Sequence, residues 1–252
     1  MFKNEEENRK KIFMYNPISI FYLIILSFFT LLILPFLAVA GTLVGKVLNL
    51  PSIAVFIIFL LSLFGSQINL KLKETISPQQ IVTYKTINFF GTQWHIPQRG
   101  YGSKKTILAI NLGGAIIPLL LCLYILLYSI PTMEQNLTLA YIKILIAFLI
   151  VTFIVNRFAK PIKGLGIAIP SIIPPLTAAA TSAILFSLIT QTNPFLIAYT
   201  AGTLGTIAGA DLLNLKKISK LGASIVSIGG AGVFDGIYMT GVMAIFLLWI
   251  IV

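Results

Sequence analysis

The chain has 252 residues, 58% of them hydrophobic and only 10% charged, with a mean hydropathy of +0.98. Soluble domains carry about 25% charged residues, so a soluble globular fold is excluded and an all-α polytopic membrane protein is expected. A net charge of +11 would point to nucleic acid on a soluble chain. Here most Lys and Arg lie in short loops, where they set topology, and no nucleic-acid partner is expected.

Residues 1–16 are polar, with Glu5, Glu6 and Glu7 before Arg9, Lys10 and Lys11. The run from about Pro17 to Val44 exceeds the ~20 residues that cross a bilayer. Ala38-Val-Ala40 resembles a signal-peptidase site, but the run is too long for a signal peptide, so an uncleaved anchor is expected. A second span follows over about Pro51 to Phe64, so 17–65 holds two spans. Residues 66–105 form the one sizeable polar segment. QINLKLKETI and IVTYKTINFF alternate apolar and polar residues, a strand pattern, and predict a small β-rich cytoplasmic insertion. Trp94 and Tyr101 suit the headgroup level. The lone His95 lies in this polar stretch and the lone Cys122 in an apolar run. Neither a disulfide framework nor a metal site is expected, and no cofactor.

Residues 106–252 are expected to hold five more spans, at about Thr106–Ile130, Leu139–Val155, 164–189, Phe195–Leu215 and Ala231–Val252. Pro170, Pro174 and Pro175 in the first half of the fifth predict broken backbone, which membranes tolerate only inside protein or beside a wet cavity. Seven spans with an inside amino terminus put 16 of the 18 Lys and Arg in the cytoplasm, leaving Lys46 and Lys143 outside. A multi-pass protein of the cell membrane with a cytoplasmic amino terminus is therefore expected.

Asp211 and Asp235 are the only aspartates, and both lie in glycine-rich apolar sequence. A carboxylate in a membrane costs at least ~2.5 to 3.5 kcal/mol on the insertion scale, so it marks a functional site by default. Asp211 falls near the end of a span, where the helix dipole disfavours a carboxylate. Asp235 follows a glycine run, where an aspartate also suits a helix cap. Ala201, Gly205 and Gly209 recur every four residues, a ridge that lets helices pack tightly. Two carboxylates brought together share a proton at neutral pH. Such a pair can activate water against a peptide carbonyl.

The two aspartates on consecutive spans resemble those of the intramembrane aspartyl proteases, the presenilin and signal peptide peptidase group. Asp211 corresponds to that family's first aspartate, although Ala210 stands where a Tyr is usual. Gly230-Ala-Gly232-Val-Phe-Asp235 is similar to its Gly-x-Gly-Asp motif, with two extra residues before the aspartate. Pro175-Leu176 begins a span of the same direction as the family's Pro-Ala-Leu motif. The resemblance implies that Asp211 and Asp235 are catalytic, with Pro174, Pro175, Leu176, Gly230 and Gly232 beside the substrate. Ala223-Ser-Ile-Val-Ser-Ile228 alternates like an edge strand. Ile225 and Val226 would there hold an unwound transmembrane protein or peptide substrate by backbone pairing. LLSLFGSQIN, AGTLGTIAGADLLNL and SIGGAGVFDGIYMTG resemble a prokaryotic family of polytopic membrane proteins of unknown function. Membrane lipids are the other expected partner.

Two alternatives stay open. A secondary transporter or channel would use the aspartates for proton or Na⁺ coupling. A non-enzymatic membrane scaffold would pair Asp211 with a loop lysine. Motifs of soluble catalysis (a Walker loop, GxSxG, HExxH) do not occur.

Overall fold

The structure is a computed structural model that describes residues 13–15, 20, 24, 41–42, 44–89, 92–162, 166–189, 191–218, 225–230 and 236–252. Most of the first expected span therefore lies outside the described residues. So do Gly232 and Asp235.

Among the described residues, three helices are long and apolar enough to cross a membrane: α2 (Leu112–Met133), α3 (Leu137–Phe158) and α5 (Pro194–Asn214). Three shorter apolar helices join them: α1 (Ser52–Gly65), α4 (Ile173–Leu188) and, from Gly236 to Ile251, α7. Seven spans were expected from hydropathy, and fewer clear ones are found among the described residues. The first lies mostly outside them, and the second, fifth and seventh correspond to the short helices, the fifth because its run begins as turn and loop before Ile173.

Helix α5 is the central helix, with 72% of its apolar stretch buried against 33% for α3. Asn193 caps it, its Oδ1 accepting from the Phe195 N–H at 3.0 Å, and Pro194 occupies the first turn, where its missing N–H costs nothing. Gly205 and Gly209 lie against Val151 and Val155 of α3, and Gly202 against Ala178 of α4 and Thr240 of α7. The predicted ridge is thus a packing surface. Pro174 and Pro175 sit, buried, in the first turn of α4. They begin a helix and do not break one, because a first turn needs no donors from them. Pro170 lies in the loop before it.

The polar segment is a sheet. Strand β2 (Ile68–Phe89) pairs antiparallel with β3 (Thr92–Asn111), a hairpin of 22 and 20 residues that reaches roughly 70 Å at ~3.3 Å per residue. Strand β1 (Phe13–Tyr15) pairs with β2, so the N-terminal polar segment contributes to the sheet. A separate small hairpin, β4 (Lys160–Ile162) with β5 (Gly166–Ala168), follows α3. After the short α6 (Leu215–Ile218), strand β6 (Ile225–Ile228) pairs parallel with Ile107–Ile110 of β3. The order β1-β2-β3-β6 leaves β6 on the edge among the described residues. The insertion expected over 66–105 therefore continues to Asn111, and the helix begins at Leu112 where a span from Thr106 was expected. Ile107–Ile110 are apolar because β6 and the bundle cover them, not lipid.

At the end of the bundle away from the sheet, Lys143 is 3% exposed. Its Nζ donates to the Ile189 carbonyl and, at 2.8 Å, to Thr192 Oγ1. Glu134 Oε1 accepts from the Asn193 N–H at 2.7 Å.

Candidate functional site

The sheet meets the bundle where β3 runs into α2 and β6 approaches α7. Asn111 organises the first junction. Its Oδ1 accepts from the Gly114 N–H at 2.8 Å and caps α2, while its Nδ2 donates to the Ser66 carbonyl at 2.7 Å and to Asn69 Oδ1 at 3.0 Å. Ser227 of β6 donates to the same Asn69 oxygen at 2.6 Å. Asn69 and Asn111 are buried, and this knot joins three strands to the start of α2. Sequence reasoning missed it. Asn111 had a signal, an Asn just before Gly113-Gly114 and a long apolar run, which is a cap pattern; Asn69 and Ser227 had none.

Asp211 stands at the end of a π-helical turn, Ile207–Asp211, within α5. Such turns gather at functional sites because they free carbonyls and re-aim side chains. Two asparagines satisfy the carbonyls here. Asn156 Nδ2 donates to Gly209 O at 3.0 Å, and Asn214 Nδ2 donates to Gly209 O at 3.1 Å and Ala210 O at 2.9 Å. Asp211 itself is half-buried, and its Oδ2 accepts from the Gly229 N–H at 3.2 Å. Gly229 follows β6 directly and has φ +69°. A Cβ there would lie 2.6 Å from Ala115 Cβ and 2.8 Å from both Ala115 N and Gly114 C. The Asp211 bond is thus anchored beside the first turn of α2, whose positive dipole end favours a carboxylate. That offsets the unfavourable C-terminal position on its own helix. Lys217 donates to Asn214 Oδ1 at 2.7 Å. Of the loop lysines, Lys217 is thus turned to Asn214, and Lys220 lies outside the described residues.

Gly229→Ala is expected to lower stability by roughly 1–2 kcal/mol for the left-handed backbone and about 1–3 kcal/mol more for the overpacking. Thermal unfolding of the purified protein would show it as a lowered midpoint; an unchanged midpoint would mean that Gly229 does not hold this geometry.

The other expected site residues divide. Ile225 is half exposed, Val226 is buried against Leu108, Ile167 and Leu215, and Gly230 donates its N–H to the Ser227 carbonyl at 3.2 Å. These three lie on or next to the edge strand. Leu176, 47% exposed, lies instead between α3 and α4, lining with Ile150, Ile154, Thr177, Thr181 and Ile184 an apolar groove of about 450 Å³.

Residues 63–247 match the model of a family described as Protein of unknown function (DUF1614). No curated protein and no solved structure matches the chain.

Proposed function

The chain belongs to this family of unknown function, and we propose that it is an intramembrane aspartyl protease that uses Asp211 and Asp235 to hydrolyse a membrane-embedded peptide. One observation supports this most. The Asp211 carboxylate holds the backbone N–H that follows an edge strand, six residues before the second aspartate. Ile237, near the start of α7, packs in one cluster with Ile207, one turn before Asp211. A transmembrane helix hides its peptide bonds. Its unwound segment would add to the free edge of β6 by backbone hydrogen bonds, with little demand on sequence. One carboxylate would then take a proton from water while the other, protonated, donates to the carbonyl oxygen.

The test is hydrolysis of a transmembrane peptide by the purified chain in vesicles, followed by mass spectrometry. A second reading, transport, has its own support. The buried Thr152 and Thr200 hydroxyls have no partner among the described residues, as a wetted path through the bundle would leave them. Absence of cleavage, together with ion-driven uptake by the same vesicles, would replace the protease by the transporter.

In this reading seven spans cross the membrane and the sheet end faces the cytoplasm. Cysteines introduced one at a time in a Cys122→Ser background should react with an external impermeant reagent at Lys46 and Gln135, and not along β2 or β3. Labelling of the strands from outside would invert the orientation.

A further inference from the structure

Past its root, the β2–β3 hairpin has no third strand among the described residues. Strand β1 covers only Ile68–Leu70 and β6 only Ile107–Ile110. A two-stranded ribbon by itself is marginal in water, so the far end calls for a surface to lie on. The register sorts that end into two faces, because side chains alternate along a strand and directly opposed residues share a side. Ile87 opposes Trp94 and Lys85 opposes Ile96, which places these four together. Thr86 opposes His95 and Asn88 opposes Gln93 on the other side, where Thr86 Oγ1 and His95 Nδ1 are hydrogen-bonded at 3.0 Å. Within these pairs the first face is apolar with one lysine, and the second is polar and internally bonded, with Tyr84 and Pro97 next along it. Trp94 is 61% exposed, Ile96 45% and Ile87 40%.

Charge selects the occupant. The hairpin carries Lys71, Lys73, Lys85, Arg99, Lys104 and Lys105 against Glu74 alone, and Glu74 is taken up by Lys71 at 2.6 Å. Tryptophan and lysine on one amphipathic face suit the bilayer interface. The ribbon is also tethered to a bundle that lies in a bilayer, so its effective concentration there is high. The register shift between Lys71 and Lys73 comes where the ribbon leaves the wider sheet, and a bulge bends a strand.

We infer that the far end of the β2–β3 ribbon lies on the anionic lipid surface of the membrane that holds the bundle, with Ile87, Trp94 and Ile96 among the headgroups and Lys85 on their phosphates. A Trp249→Phe chain leaves Trp94 as the only tryptophan. In nanodiscs containing phosphatidylglycerol its emission should shift to shorter wavelength and be quenched by lipids brominated near the headgroup. Pure phosphatidylcholine discs should give much less of both. Lys85→Gln, a surface change, should reduce the ratio of bound to free ribbon roughly fivefold, the worth of one basic residue at an anionic surface. Water-like, unquenched Trp94 emission in the anionic discs overturns the inference, as does equal quenching in both lipids. A disulfide between two Trp94→Cys copies in the same discs would assign the face to a second copy of the chain instead.

Discussion

Asp211→Asn is expected to leave the chain folded and to reduce cleavage of a transmembrane peptide by about 10²–10⁴-fold, the usual worth of a positioned acid or base. The fold should survive because the asparagine carbonyl can still accept the Gly229 N–H that Asp211 accepts at 3.2 Å. The exchange also removes a costly membrane charge. The asparagine can neither take a proton from water nor give one to a carbonyl. Asp235→Asn should show the same loss, and the double variant little more, because the two would act as one unit. Asp211→Ala differs: it leaves the Gly229 N–H without an acceptor, at a cost of about 1–3 kcal/mol, so it should lose stability as well as activity. The measurement is the initial rate of product formation in vesicles beside the helix content of each variant. Wild-type rates from a well-folded Asp211→Asn protein would remove the dyad.

Gly113→Ala should largely prevent folding. A Cβ at Gly113 would stand 1.9 Å from the Ser62 carbonyl oxygen, 2.4 Å from Ser66 N and 2.8 Å from Gly65 C. All three are backbone atoms of α1 or of the turn after it, so no side chain can swing aside and the helix itself must move. Moving it breaks the Ser62 Oγ bond to Gly113 O at 2.7 Å and pulls the Ser66 carbonyl from Asn111 at 2.7 Å. Overpacking by a methyl costs about 1–3 kcal/mol where neighbours yield, and here the cost should exceed that range. Gly41→Ala is the control, since among the described residues its Cβ would meet only Ser52 O, at an ordinary 3.7 Å. Yield of monodisperse protein from detergent and the unfolding midpoint separate the two. A Gly113→Ala protein as stable as the Gly41→Ala one would show that α1 and α2 do not cross this closely.

Much of the architecture was legible because it depends on additive, local properties. The membrane class follows from hydropathy summed along the chain. The alternation in INLKLKETI and in IVSI is a property of neighbours, and both stretches are strands. Asp211 stood out because a carboxylate in apolar sequence is expensive wherever its partners lie. What sequence could not decide was which apolar residues face lipid and which face protein. Ile107 to Ile110 are as apolar as a span, yet they form a strand because β6 arrives from the far end of the chain to pair with them. Pro174 and Pro175 look like breaks until the loop before them shows that the helix starts there. The acceptor role of Asp211 needed Gly229, and the left-handed backbone of Gly229 needed the close approach of Gly114 and Ala115. Hydrogen-bond partners and close backbone contacts join segments distant in sequence, and only the folded chain brings them within reach. A membrane-embedded helical protein with two isolated carboxylates follows from the residues alone; the closure of one of them on the edge of a sheet follows only from the folded chain.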